Sequence, residues 1–469
     1  MTEIWRMGAA ELATRIRARE VSSREVVQAH LDRIQAVNPR LNAVTAVLAE
    51  SALAAADAAD AAVKSGAALG PLGGVPMTIK ENMDVAGSAT TFGLAVLRNA
   101  IAKEDGPLVA GLRAAGAIPI GRTNMPVFGA RWHTENALWG ATRNPWSAEH
   151  TPGASSGGEA AALAAGLSPL GLGNDGAGSL RWPAQCCGVT ALKPSFARVP
   201  LGSPARALAQ PIPFAFQLLA TNGPMARHVR DLRLAFAPMC ARSAGDPWQV
   251  AAPVEGPPPV RPIRVAVAED PGGLGVHPDV AAAVRRAAAA LEDAGYIVEQ
   301  RDPPALVRAN EIYTQIMMRF GRTTEEPPSA AGLVGDEFQR FWDAWNPVWT
   351  AACGAPVYDP LSERASLIYL WSMFLEETPL LLAPVATQPA FRVDAELDPD
   401  RLAAWPAALR MIVAVNLLGL PAVAVPVGEA NGLPQGVQVI GPRFREDLCL
   451  DAAEAIEDRL GTITPIDPR

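Results

Sequence analysis

Along the first sixty residues, apolar positions recur at helical spacing. Ser22 and Glu25 form an S-x-x-E capping box, Val26, Val27, Leu31 and Ile34 share one face, and Asn38-Pro39 reads as the stop. The Ala-rich run 51–64 predicts a second helix. From Gly70 to about Ser195 the texture changes. Short apolar runs at 75–79, 117–120 and 167–172 alternate with Gly-rich turns and small-residue helices, the pattern of an α/β core with buried strands. Residues 263–303 read as a separate strand–helix–strand piece, with strands at 263–267 and 296–300 around a helix over 278–294. The stretch 304–375 is rich in aromatics, among them Tyr313, Phe320, Phe338, Phe341, Trp342, Trp345 and Trp349. Strand-like runs return at 380–384, 421–427 and 435–440 before a closing helix. No internal repeat or low-complexity tail interrupts the pattern. It predicts one core over 1–469 carrying 304–375 as a variable insertion, rather than independent domains.

Composition narrows the class. A chain of 469 residues, 49% apolar, can bury a large core, and its 43 prolines and 40 glycines are scattered among apolar segments, as in a compact fold with many loops. A net charge of −8 without a Lys/Arg block speaks against nucleic acid and anionic membrane surfaces as partners. Cys186, Cys187, Cys240, Cys353 and Cys449 are odd in number and contain no CxxC, which predicts buried thiols in a reducing compartment. The opening MTEIWRMGAAELATRI has no basic-then-apolar signal pattern, and no run reaches the roughly 18 apolar residues of a membrane span. A soluble cytoplasmic protein is expected.

Two Gly-rich segments are candidates for chemistry. Gly153-Ala-Ser155-Ser-Gly157 satisfies G-x-S-x-G, but the nucleophile elbow needs a strand just before its serine and an Asp then a His after it. Residues 144–152 cannot form a central strand, and only His228 and His277 follow. Gly171-x-Gly173-x-x-Gly176 matches the dinucleotide fingerprint, yet Pro183 argues against a regular helix opening there. Together the segments say more. Ser155-Ser156-Gly-Gly leads into a helix over 159–165 whose N-terminal amides face the serines, and Gly176-Ala177-Gly178 places small residues before Ser179, where backbone N–H groups can converge on an oxyanion. Serine needs a base. Lys80 ends the apolar run 75–79, and a buried lysine kept neutral can serve; a solvated strand-end lysine is the plainer reading of the position alone.

The segments GVPMTIKEN around Lys80, PGASSGGEAAALAAG around Ser155 and GNDGAGSLRWPAQCCGVTALKPS around Ser179 resemble the amidase signature family. The three residues stand 75 and 24 positions apart, similar to the family's spacing. The resemblance extends to GRTNMPVFG, TRNPW, GPMARHVRDL and GLPAVAVPVG…GLPQGVQVIGP, and is thinnest over 304–375. It implies a single large α/β domain with a mixed central sheet surrounded by helices, and a Ser–cis-Ser–Lys triad without cofactor or metal. Ser179 would be the nucleophile, Ser155 the relay in a cis peptide and Lys80 the base. The amides of Gly176, Ala177, Gly178 and Ser179 would form the oxyanion hole. Ser156, Asp175 and Arg181 would support them, the last two as an ion pair rather than solvated charges. Where the family commonly reads GGSSGG and (T/I)GGS, this chain has Ala154 and Gly176-Ala177.

A lysine base that is neutral near pH 7 requires a pKa about 3 units below its usual value. By the same resemblance, Phe128 to Thr134 approaches the acyl pocket. Phe128 and Trp132 are its candidate lining, and His133 has a structural or substrate-contacting role rather than a catalytic one. Cys186-Cys187 reads as buried packing. The aromatics of 304–350 either cap an apolar pocket for an aryl or acyl amide or pack the insertion onto the core. A stand-alone amidase acting on a small amide is the leading expectation, with a homodimer left open. The rivals are a glutaminase-type component of a tRNA-dependent amidotransferase and an inactive binding homologue. The stretch 129–136 looks more like stand-alone amidases.

Overall fold

Eleven strands form one mixed sheet in a computed structural model that describes residues 3–202, 212–321, 334–355 and 358–469. The strands are β1 (Val44–Val47), β2 (Pro76–Lys80), β3 (Ile118–Thr123), β4 (Leu170–Asp175), β5 (Thr190–Lys193), β6 (Thr221–Ala226), β7 (Arg264–Val267), β8 (Ile297–Gln300), β9 (Leu380–Pro384), β10 (Ala422–Ala430) and β11 (Leu433–Ile440). Their order is β1-β3-β2-β4-β6-β5-β10-β11-β9-β7-β8. β2 lies parallel to both β3 and β4, whereas the seam between the chain's two halves, β5 on β10, is antiparallel.

Because successive side chains of a strand point to opposite faces, each face builds its own core. Met77, Ile79, Leu170, Leu172, Val423, Val425, Val437 and Val439 enter one core. The other face is covered by two further clusters. One contains Ile118, Ile120 and Ala191 with the helix Gly157–Ala164, and the second contains Leu381, Ala383 and Ile440 with the helix Arg410–Leu418. All-buried strands between two helical layers require near-continuous runs of buried residues, as β2, β3, β9 and β11 show.

Several sequence expectations shift. The capping box at Ser22 and Glu25 is formed, but the helix runs Ser23–Leu41 and carries Pro39 inside it. Its stop is Asn42 in the left-handed conformation, while the Asn38 side chain accepts from the amides of Ala43 and Val44. The run predicted from Leu167 becomes a strand only at Leu170, after Pro169, which has no N–H to give a ladder. The 263–303 piece is not separate: β7 pairs with β9, so it extends the common sheet. In 304–375 the described residues form the helices Leu306–Phe320, Asp336–Ala352 and Pro360–Glu377; 322–333 and 356–357 lie outside the described residues.

Candidate active site

The site begins with strand alternation. With Met77 and Ile79 in one core, Thr78 and Lys80 face the helix Gly157–Ala164. That helix can lie close on β4 because Gly171 and Gly173 have no side chain. A Cβ on Gly171 would overlap the Glu159 carboxyl, and one on Gly173 would stand 2.7 Å from Ser156 Oγ. The G-x-G pattern is thus a packing device.

Beneath the helix, Thr78 donates to Glu159 Oε1 and Thr123 donates to Oε2 at 2.7 Å. Lys80 Nζ, fully buried, lies 2.7 Å from Ser155 Oγ, 3.1 Å from Ser156 Oγ and 2.6 Å from Asn174 Oδ1. Burial lowers the lysine to about 7, while Asp175 and Glu159 pull it upward. Burial likewise raises Glu159 to about 7 against its two threonine hydrogen bonds and the nearby lysine. The Ala154–Ser155 peptide is cis.

Ser179 follows a turn held from several sides. The Asp175 carboxylate accepts from the amides of Gly178 at 2.7 Å and Leu180 at 3.2 Å, and pairs with Arg181 Nε at 3.0 Å, both side chains fully buried. Burial opposes ionisation of Asp175, yet Arg181 and Asn416 hold it at about 2. Arg181 also donates to Gln438 Oε1 at 2.9 Å, Ile412 O at 3.0 Å and Asn416 Oδ1 at 2.7 Å. Ser156 N donates to Ser179 O at 3.1 Å, tying the two serine segments together. One expectation is corrected: the Gly178 amide already serves Asp175, while those of Gly176, Ala177 and Ser179 meet no acceptor among the described residues.

Gly129 passes directly over Ser155, since a Cβ on it would come within 2.9 Å of Ser155 Oγ. The Phe128 ring packs edge-on against Phe338, with centroids 6.2 Å apart, and Trp132 lies 6.2 Å from Trp345. His133 is buried against Thr151 Oγ1, and burial beside Arg131 lowers it to about 3, so it is neutral and has no triad residue as partner. Cys186 and Cys187 are buried with thiols pushed upward by burial. His228 lies beside Glu457, and His277 caps the helix Pro278–Asp293, so neither hydrogen-bonds to Ser155.

A second correction concerns Pro183. A short helix, Arg181–Cys187, does open after Ser179, and Pro183 sits in its first turn, where no N–H is needed. What weakens the dinucleotide reading is Asp175, whose carboxylate already occupies the amides at that helix start. Among the described residues no group of three or more His, Cys, Asp or Glu could hold a metal ion, and no helix is long and apolar enough to cross a membrane.

The family model described as Amidase matches residues 25–450. The chain belongs to the amidase signature family. It is accordingly an amide-hydrolysing enzyme. An indoleacetamide hydrolase of Bradyrhizobium diazoefficiens is 42% identical over 466 residues, covering 98% of this chain and 88% of that protein. A glutamyl-tRNA(Gln) amidotransferase component of Moorella thermoacetica is 33% identical over 481 residues, 97% of each protein. Among solved structures, 6-aminohexanoate cyclic dimer hydrolase complexed with substrate superposes with a TM-score of 0.79 at 28% identity, covering 100% of this amidase and 99% of the other. Asn174, Glu159, Tyr313 and Asn416 were absent from the expected site. For Glu159 a signal existed, an acid in an otherwise small-residue helix; the other three carried none.

Proposed function

We propose that this chain is a stand-alone amidase that hydrolyses a small aryl- or acyl-substituted carboxamide through a Ser179 acyl-enzyme, with Ser155 as relay and Lys80 as base. The observation that carries the reading is the buried contact of Lys80 Nζ with Ser155 Oγ at 2.7 Å. A neutral amine has two N–H bonds and one lone pair. Asn174 Oδ1 accepts one hydrogen, and Ser156 Oγ accepts the other while its own hydroxyl points at Asn174 O, 3.4 Å away. The lone pair is left for the Ser155 hydroxyl.

Ser179 then attacks the amide carbon as its proton passes to Ser155 and the Ser155 proton to Lys80. The oxyanion is met by the amides of Gly176, Ala177 and Ser179. Collapse of the tetrahedral intermediate breaks the C–N bond, Ser155 protonating the leaving amine and regaining a proton from Lys80. Water releases the acid by the same relay. The similarity to an indoleacetamide hydrolase favours an arylacetamide substrate, and Phe128, Trp132 and the 304–375 helices would form its apolar surroundings. The amidotransferase relatives are less similar, at 33% and 34%, which favours action without partner chains.

A fluorophosphonate probe followed by peptide mass spectrometry tests the assignment. Labelling at Ser179 that disappears in Lys80→Ala is expected; labelling at Ser155, or labelling independent of Lys80, would overturn it.

A further inference from the structure

The three amides of the turn before Ser179 that meet no acceptor among the described residues have something in common. Each belongs to a peptide whose carbonyl is anchored on its far side. The carbonyl of Asp175, which shares a plane with Gly176 N–H, accepts from Asn416 Nδ2 at 3.0 Å. The carbonyl of Gly178, in plane with Ser179 N–H, accepts from the Trp182 amide at 2.8 Å. The carbonyl of Gly176, in plane with Ala177 N–H, accepts from the Tyr313 hydroxyl at 2.8 Å. A trans peptide is flat and its C=O and N–H point in opposite directions, so fixing the oxygen fixes where the hydrogen aims. A hydrogen bond accepted by the carbonyl also polarises the amide and strengthens its N–H as a donor.

Trp182 lies in the motif around Ser179, and Asn416 in the helix Arg410–Leu418, just before the motif GLPAVAVPVG. Tyr313 comes instead from the helix Leu306–Phe320, in the stretch where the family resemblance is thinnest. Its ring is 7% exposed and packs with Leu306, Ile312 and Ile316, and burial pushes its hydroxyl upward, so it stays protonated and able to donate. Ala177, partly buried, packs against the same cluster.

We infer that Tyr313 is a positioning residue for the reaction: by holding the Gly176 carbonyl it aims the Ala177 amide at the developing oxyanion, so that a helix of the variable segment sets the electrostatics of the catalytic turn. This rests on Ser179 as nucleophile, and Ala177 is where it matters most. Gly176 and Gly178 flank that alanine, giving the turn freedom that an outside anchor must remove.

The test compares wild type with Tyr313→Phe, which keeps the ring and removes the hydroxyl, and with 3-fluorotyrosine at 313, which keeps both. Wild-type acylation of Ser179 is established first; its absence would overturn the nucleophile assignment and this inference with it, whereas a failure in the Tyr313 comparisons alone would overturn only the inference. With acylation established, Tyr313→Phe is expected to lower kcat by about 10- to 100-fold, somewhat less than loss of a whole oxyanion donor, with KM changed little. Affinity for a trifluoromethyl ketone, which forms a charged hemiketal on serine, should fall by a similar factor. The pH at which the rate rises should not move, because the Lys80 contacts are untouched, and 3-fluorotyrosine should restore turnover. A kcat within about twofold of wild type, a loss confined to KM, or equal weakening of substrate amide and ketone would each overturn it.

Discussion

At the scale of single residues, the site is a problem in keeping one amine neutral and one lone pair aimed. Burial brings Lys80 to about 7, far below an ordinary lysine, and Asn174 and Ser156 take up its hydrogens. As pH rises through that value the amine loses its proton, so the acylation rate should climb and then level off. Asn174→Asp tests the arrangement. A carboxylate at the position of an oxygen now 2.6 Å from Nζ favours the ammonium, and should move the rising limb upward by about 1–3 pH units. A limb that stays within a few tenths of a unit would show that Asn174 does not govern the lysine. Lys80, Ser155 and Ser179 were legible as candidates because their side chains stood in recognisable surroundings. Asn174 and Tyr313 were not, since an amide at a strand end and a tyrosine on an apolar helix face look like ordinary polar termini and core.

At the scale of elements, periodicity and caps carried most of the reading. The capping box at Ser22 and the runs of β2, β9 and β11 were visible because local signals agreed with tertiary burial. Boundaries failed at prolines: Pro183 sits in a first turn, where no N–H is needed, and Pro39 is tolerated two residues before the end of its helix although its carbonyl partner loses a bond there. Pairing was out of reach, because no local signal says that β7 will meet β9 rather than stand apart. The contact of β4 with the Gly157–Ala164 helix gives the sharpest prediction at this scale. Gly171→Ala would drive a methyl into the Glu159 carboxyl. It should destabilise the protein by about 1–3 kcal/mol, as overpacking does, and lower activity along with it, read by denaturant melts beside turnover. An alanine variant as stable as wild type would mean that the helix shifts freely on the sheet.

At the scale of the molecule, the sheet joins its halves through β5 and β10, and the turn before Ser179 depends on both. Asp175 and Ser179 come from the first half; Asn416 and Gln438, which hold Asp175 and Arg181, come from the second. A fragment ending at residue 262 would leave β5 as an open edge and the Asp175–Arg181 pair without those partners. It is expected to show no cooperative urea transition by circular dichroism and no fluorophosphonate labelling. A sharp two-state transition would show that the first half is a unit of its own.

The hydrogen bond from Arg181 to Gln438 has a consequence for how the enzyme is made. Gln438 lies 257 positions beyond Arg181. During synthesis Lys80, Ser155 and Ser179 all leave the ribosome long before that glutamine does. The nascent chain therefore carries both serines and the lysine while the Asp175–Arg181 pair still lacks this brace, and the pair gains it only once the second half of the sheet has been made.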